Sequence, residues 1–227
     1  MRQKSNASHL FVIIACIFVS CLLVSNIIAG KLITVFGIVL PGAVILFPLV
    51  YIVGDVLTEV YGFQKARLVI WSGFVCNMIM VAAFYIVLVI PSPEFFEGGS
   101  AFALVLGSTP RIVLASLLAY WVGEFVNSMV LSKLKILTEG RFLWVRTIGS
   151  SLVGQGLDTF IFIAVSFWGT LPTAVLWQMM MYQYLFKITF EIVATPLTYL
   201  VVGWLKRTEQ IDTYDKGIKY NPFRLDA

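Results

Sequence analysis

The sequence predicts an all-α, polytopic membrane protein with six transmembrane helices and both termini in the cytoplasm. Hydrophobic residues make up 59% of the 227 residues, charged residues only 12%, and the mean hydropathy is +0.92. A soluble domain has about a quarter of its residues charged. Because a helix of about 20 residues crosses the hydrocarbon layer of a membrane, the chain can hold six such helices, short loops and no separate soluble domain.

Six apolar stretches define the predicted spans. The first covers residues 10–30 and is predicted to be a retained helix rather than a cleaved signal peptide, because five further stretches follow it. The second, residues 32–54, contains four helix breakers, namely Gly37, Pro41, Gly42 and Pro48. They predict an irregular start near the outer surface and then a helix over residues 43–61.

The other four stretches predict longer and more regular helices. They cover residues 66–90, 111–131, 147–168 and 177–205. The last is longer than one crossing requires and is therefore predicted to be tilted. This division leaves residues 1–9 as a cytoplasmic N-terminus, residues 10–205 as the membrane domain and residues 206–227 as a cytoplasmic tail.

Lysine and arginine are distributed unevenly between the loops. With the N-terminus inside, thirteen of the sixteen basic residues fall in cytoplasmic segments, whereas Lys31 and Arg111 lie outside and Lys187 lies in the membrane. Short cytoplasmic loops retain basic residues, so both termini are predicted to be cytoplasmic. The net charge of +4 then reflects topology, and no nucleic-acid partner is predicted.

Histidine and cysteine usage excludes several kinds of site. His9 is the only histidine, which excludes a histidine-based metal site. The three cysteines, Cys16, Cys21 and Cys76, fall within predicted spans and behave as small apolar residues. Neither a metal nor a cofactor is predicted. The sequence has no GxxxxGK[ST] motif, so direct use of ATP is excluded, while a separate energising ATPase partner stays open.

Four charged residues lie deep within the apolar stretches: Glu124, Asp158, Lys187 and Glu191. Each costs roughly 2.5–3.5 kcal/mol near the middle of a bilayer, so they are expected to form a buried, paired cluster that handles a solute, an ion or a proton. Asp55 lies about 5 Å closer to the cytoplasm by helix geometry.

Polar residues share helix faces with these charges, at spacings of three, four, seven and eight residues. The predicted substrate-binding set is Asp55, Glu124, Asn127, Gln155, Asp158, Gln183, Lys187 and Glu191. The candidate rings for stacking against a ligand are Tyr120, Phe162 and Tyr184.

Purely structural roles stay open for some of these residues. Lys187 and Glu191 are one turn apart and could neutralise each other. Glu59 could pair with Lys65 or Arg67 at the membrane surface. Asn127 and Gln155 could join helices through hydrogen bonds.

A functional role is favoured for Glu124 and Asp158. Only one cation is available at their depth, so some carboxyl groups must be protonated, solvated or matched by a ligand.

Three motifs carry a resemblance to a known family. They are GDVLTEVYG over Gly54–Gly62 with QKAR after Phe63, GQGLDT over Gly154–Thr159, and KITFEIVATP over Lys187–Pro196. In this order they resemble the queuosine precursor transporter family, also labelled vitamin uptake transporters, over nearly the whole chain. The resemblance implies import of a 7-deazaguanine-type base, such as preQ0, preQ1 or queuine, across the bacterial cytoplasmic (inner) membrane.

One departure concerns the ligand. Some members of that family carry Gln and Asp where this chain has Glu124 and Asn127, which leaves the ligand subtype open.

The implied ligand suits the polar set. A carboxylate can accept N1–H and the exocyclic amine of a guanine-like edge in a bidentate pair, which suits Glu124 or Asp158. The candidates to donate to its carbonyl oxygen are Asn127, Gln155 and Lys187. Asp55 or Glu191 would complement an aminomethyl cation.

Two other functions are weighed against a transporter that works without a partner. A membrane subunit that binds substrate for an energy-coupling complex would need an ATPase partner. An intramembrane aspartyl enzyme would need Asp55 and Asp158 to share a proton at about 3 Å. No enzyme is expected; the other partners considered are membrane lipid and a second copy of the chain.

Overall fold

The computed structural model describes residues 8–29, 31–35, 38–107 and 110–223. This part of the chain forms seven α-helices, one two-stranded hairpin and one short 3-10 helix. In chain order the elements are α1 (His9–Ile28), β1 (Leu32–Val35), β2 (Ile38–Pro41), the 3-10 helix Gly42–Ile45, α2 (Phe47–Tyr61), α3 (Phe63–Val89), α4 (Gly99–Leu106), α5 (Pro110–Leu137), α6 (Leu143–Phe167) and α7 (Thr173–Glu209).

Five segments of the described chain are long and apolar enough to cross a membrane. They are α1, α3, the segment Gly99–Leu137 that contains α4 and α5, α6, and α7. The prediction of a helical polytopic membrane protein is thereby confirmed. The count of six spans and the side of the termini stay predictions; residues 1–7 and 224–227, which include Arg2, Lys4 and Arg224, lie outside the described residues.

The second predicted span is a composite of short elements. β1 and β2 pair antiparallel, with Leu32 opposite Pro41, and the 3-10 helix then leads into α2. Gly42 is required here because a Cβ would lie 2.7 Å from the carbonyl oxygen of Ile28. At 15 residues, α2 is about 22 Å long, shorter than the hydrocarbon layer. The predicted irregular start is therefore a β-hairpin; Gly37 lies outside the described residues.

A sharp turn at Gly62 connects α2 to α3. Gly62 has φ +84°, and a Cβ there would lie 2.7 Å from Thr213 Cγ2 and 2.9 Å from Asp215 Oδ1. Asp215 accepts a hydrogen bond from the backbone N–H of Phe63 at 2.8 Å and so caps the start of α3. The turn and the residues after α7 therefore hold each other in place.

The residues that follow α7 pack back onto the bundle. Arg67 donates to the carbonyl of Asn221 at 2.8 Å, and the indole N–H of Trp71 donates to the carbonyl of Pro222 at 2.7 Å. The hydroxyls of Tyr220 and Ser132 lie 3.0 Å apart. Residues 210–223, called the return segment below, thus contact α3 and α5.

Glu59 lies at the centre of a buried charge cluster beside the return segment. Its side chain is fully buried and accepts hydrogen bonds from Arg146 at 2.8 and 3.1 Å and from Lys206 at 2.7 Å. Lys135 lies 3.6 Å away, and Asp212 pairs with Lys135 at 2.5 Å and with Lys206 at 2.9 Å. These five residues, the Glu59 cluster, join α2, α5, α6 and α7 to the return segment.

The structural alternative in which Glu59 pairs with Lys65 or Arg67 is wrong. The Lys65 ammonium lies 5.5 Å from the ring centroids of Phe11 and Tyr61, whereas Arg67 reaches the return segment. Glu59 faces the bundle interior, so its partners come from helices that are distant in sequence.

The attachment of the return segment is expected to depend on pH. Burial by itself raises the pKa of Asp212, but the hydrogen bonds and charges of Lys135 and Lys206 outweigh it and leave the pKa below 3.8. A carboxyl whose pKa is lowered by folding stabilises the fold above its unfolded pKa, and this contribution is lost as the pH falls through the folded pKa. Amide hydrogen exchange of residues 210–223, corrected for intrinsic rates, should therefore accelerate below about pH 4.

Asp212→Asn supplies the control for this pH dependence. The variant lacks the titrating group, so its return segment should already exchange faster near neutral pH. Protection that is the same in both proteins at every pH would contradict the assigned ion pairs.

Candidate functional site

Close packing of α5 against α6 places two of the predicted site residues. A Cβ on Gly123 would lie 2.8 Å from the Cβ of Asp158, and one on Gly154 would lie 2.6 Å from the Cβ of Asn127. Small residues at such contacts let helix backbones approach closely. Asn127 and Asp158 are therefore held on facing sides of one seam, each opposite a glycine of the other helix.

Lys187 forms an ion pair with Asp158. Its ammonium donates a hydrogen bond to Asp158 Oδ2, so the pair joins α7 to α6. The ammonium also hydrogen-bonds Tyr51 and lies 5.7 Å from the centroid of its ring. Lys187 thus pairs across helices with Asp158 rather than along its own helix with Glu191.

Asp55 and Glu191 form a second pair at the α2–α7 contact. They are 1% and 2% exposed, α2 packs against α7, and each carboxyl group acts electrostatically on the other. Asn127 donates from Nδ2 to Asp55 Oδ1 at 2.8 Å, which brings α5 to the same point. The Asn127 amide therefore joins α5 to α2, which agrees with the structural role that the sequence left open for it.

Glu124 reaches α2 through the space that a glycine leaves. A Cβ on Gly54 would lie 3.2 Å from Glu124 Oε2 and 3.4 Å from the ring of Phe18. The charges that act on Glu124 are those of Asp158, Lys187 and Glu191. Glu124 therefore belongs to the same polar interior as the two pairs.

Several buried polar atoms in this interior lack a hydrogen-bond partner among the described residues. They are Asp55 Oδ2, Asn127 Oδ1, Ser151 Oγ, Gln155 Oε1, Thr159 Oγ1 and Glu191 Oε1. An unsatisfied buried group costs about 1–3 kcal/mol, so such groups normally meet a ligand, a water molecule or a proton. They all belong to the faces of α2, α5, α6 and α7 that carry the predicted polar stripes.

The remaining predicted residues lie outside the two carboxyl-containing pairs. Gln183 is half-buried one turn before Lys187. The Tyr120 hydroxyl donates to the carbonyl of Ile70 at 3.0 Å, and the Tyr184 hydroxyl donates to that of Leu152 at 3.0 Å. Phe162 packs against Phe167 with ring centroids 6.3 Å apart. Stacking by these three rings stays a prediction.

Two site neighbours were missed by the sequence analysis. Tyr51 precedes Asp55 by one helical turn, a spacing that could have revealed it. Phe18 lies in an uncharged stretch of α1, and the nearest polar residue, Ser20, is two positions away and so on another helix face. Nothing in the sequence therefore marks its position beside Glu124.

The geometry gives no support to an aspartyl dyad. Asp158 is paired with Lys187, whereas Asp55 is bonded to Asn127 and faces Glu191. Within the described ranges, no group of three or more His, Cys, Asp or Glu side chains is arranged to hold a metal ion.

The chain matches one family and several curated proteins. Residues 41–201 match a family described as "Putative vitamin uptake transporter". The "Probable queuosine precursor transporter" of Bacillus subtilis (strain 168) is 30% identical over 187 residues, which cover 82% of each chain. The protein of the same name from Haemophilus influenzae is 28% identical over 159 residues, 69% of this chain and 65% of that one.

A third relative agrees with these two. The "Queuosine precursor transporter" of Escherichia coli (strain K12) is 28% identical over 154 residues, which cover 65% of each chain. No solved structure matches this chain significantly. The protein belongs to the vitamin uptake transporter family, to which the queuosine precursor transporters belong, and is a multi-pass transport protein of the bacterial inner membrane, not an enzyme.

Proposed function

We propose that this protein imports a queuosine precursor, a 7-deazaguanine-type base such as preQ0, preQ1 or queuine, through a polar mid-membrane site between α2, α5, α6 and α7. The names of the relatives support the substrate class. The observation that carries the location of the site is the set of buried polar atoms without partners on these four helices.

The chemistry of those atoms favours a ligand rich in N–H groups. Two of them, on Asn127 and Gln155, are amide oxygens, which accept hydrogen bonds. A 7-deazaguanine ring offers N1–H, an exocyclic amine and a pyrrole N–H. A donor-rich ring therefore complements these two acceptors.

Particular roles follow from position and charge. Glu124 is the carboxylate best placed to accept N1–H and the amine together, because Asp158 is already paired with Lys187. The carbonyl oxygen of the base would face Lys187, the one cation among the predicted site residues. Asn127 and Gln155 would accept the remaining N–H groups through their unpartnered oxygens.

Release of the base would require one end of the bundle to open. The Glu59 cluster joins α2, α5, α6 and α7 to the return segment at the end predicted to be cytoplasmic. Rearrangement of helices around a fixed central site is a common transport mechanism. We therefore assign the described arrangement to a state in which the Glu59 cluster closes the cytoplasmic end.

Gln155→Leu tests the site through opposite effects on stability and binding. The substitution removes an unpartnered buried oxygen, so the purified protein should melt at the same temperature or higher. Its affinity for preQ0, measured by isothermal titration calorimetry in detergent, should fall about tenfold to one-hundredfold because a hydrogen bond to the ligand is lost.

Ser166→Ala is the matched control. Ser166 is also buried and unpartnered, but it lies two turns beyond Thr159 at the end of α6. Its removal should leave the affinity unchanged. The proposal is wrong if the native protein binds none of preQ0, preQ1 and queuine, or if Gln155→Leu melts at a lower temperature and binds as the native protein does.

A further inference from the structure

We propose that Asp55 and Glu191 form a proton-binding pair, which takes up one proton from the outer side and couples its inward movement to import of the base. This inference rests on the proposed function and adds the energy source for import of the base. It follows from the burial, the surroundings and the hydrogen bonding of the two carboxyl groups.

Burial comes first. Asp55 is 1% exposed and Glu191 is 2% exposed, and they lie on the packed helices α2 and α7, where each group acts electrostatically on the other. Asp55 Oδ2 and Glu191 Oε1 receive no hydrogen bond from any described residue. Two carboxylates have no hydrogen to share, so the pair can bond only when one group carries a proton.

Among the described residues, no cation is paired with either carboxyl group. The charged groups that act on Asp55 are Glu59 on its own helix, Glu124 on α5 and Glu191 on α7, and all are acidic. On α6 the charged residues are Asp158 and Arg146, and they are paired with Lys187 and Glu59 respectively.

The remaining neighbouring helices supply no cation either. α1 contains no Asp, Glu, Lys or Arg, and the basic residues of α3 are Lys65 and Arg67 in its first turn. Lys65 lies over the rings of Phe11 and Tyr61, and Arg67 bonds Asn221. Two adjacent carboxyl groups in such surroundings hold one proton between them.

Asn127 connects this pair to the base. Its Nδ2 donates to Asp55 Oδ1, which leaves its Oδ1 as an unpartnered acceptor. When the shared proton moves to Asp55 Oδ1, that oxygen becomes a donor, and the amide must turn to accept from it. Asn127 then presents N–H rather than oxygen to the ligand. The position of the proton thereby decides which edge of a base the site accepts.

Transport in proteoliposomes tests the coupling. The full-length chain is reconstituted, and labelled preQ0 is used because it is neutral, so that movement of the base itself carries no charge. The membrane potential is clamped at zero. If one proton moves with each base, the base can then accumulate inside about tenfold for each pH unit by which the interior is more alkaline than the exterior. An uncoupler should abolish this accumulation, and addition of preQ0 should make a weakly buffered exterior more alkaline.

Two single variants, Glu191→Gln and Asp55→Asn, each remove one carboxyl group of the pair. Whatever exchange of labelled for unlabelled preQ0 remains in these variants should no longer respond to the pH gradient, so the accumulation ratio falls to about one. Glu97→Gln, an exposed residue between α3 and α4, should keep the native accumulation.

The outcomes separate this inference from the proposed function. Native protein that binds and exchanges preQ0 but neither accumulates it nor alkalinises the exterior would overturn the proton pair and leave the function standing. Native protein that neither binds nor exchanges any 7-deazaguanine would overturn the function itself. The alkalinisation measurement uses only native protein, so the inference is tested even if both variants fail to fold.

Discussion

Replacing Glu59 with glutamine is expected to destabilise the folded protein by about 3–5 kcal/mol, because it leaves buried positive charges without their partner. The Glu59 side chain is fully buried and accepts hydrogen bonds from Arg146 and Lys206. Of the remaining cluster, only Asp212 is negative, against three cations. Unfolding of the detergent-solubilised variant, followed by chemical denaturation or heating, would measure the loss.

A second substitution shows whether charge is the cause. Glu59→Gln combined with Arg146→Gln removes one opposite charge from each side, and should recover part of the lost stability. Glu97→Gln, which removes an exposed carboxylate, should change stability by less than about 0.5 kcal/mol. A single Glu59→Gln variant as stable as the native protein would contradict the assigned cluster.

Lys187→Met is expected to have a comparable effect on stability and to abolish uptake. It leaves the half-buried Asp158 without its partner and near Glu124, on which its charge acts. Breaking a buried ion pair by removing one partner costs about 3–5 kcal/mol. Thermal unfolding measures the first effect, and accumulation of labelled preQ0 by proteoliposomes measures the second.

The choice of second substitution identifies the partner of Lys187. Lys187→Met with Asp158→Asn removes both members of the observed pair and should restore much of the stability, but not uptake. Lys187→Met with Glu191→Gln should restore less, since Glu191 faces Asp55. A larger recovery of stability with Glu191→Gln than with Asp158→Asn would show that Lys187 is neutralised by Glu191 on its own helix.

Much of the architecture was predictable because hydropathy is a local property. The apolar stretches placed α1, α3, α5, α6 and α7 within a few residues of their observed bounds. The region before α2 was recognised as irregular from its glycines and prolines. Its hairpin was not recognised, because a short apolar run does not distinguish a strand from a helix.

The membership of the binding site stays a prediction, but the burial of several of its residues was foreseeable from helical spacing. Gln155 on α6 is buried, as are Lys187 and Glu191 one turn apart on α7. Helical spacing could not show that Lys187 would pair with Asp158, or that Glu59 would bind Arg146. Those partners are 29 and 87 residues apart in the chain.

The sequence by itself determined that this is a membrane protein and where its long helices begin and end. It also determined that carboxyl and amide groups lie deep within those helices. Only the tertiary structure decided which of these groups meet. The reason is physical: an ion pair requires two side chains at the same depth and on facing sides of two helices. That rotation and depth are set by packing contacts between helices, such as Gly123 against Asp158 and Gly154 against Asn127.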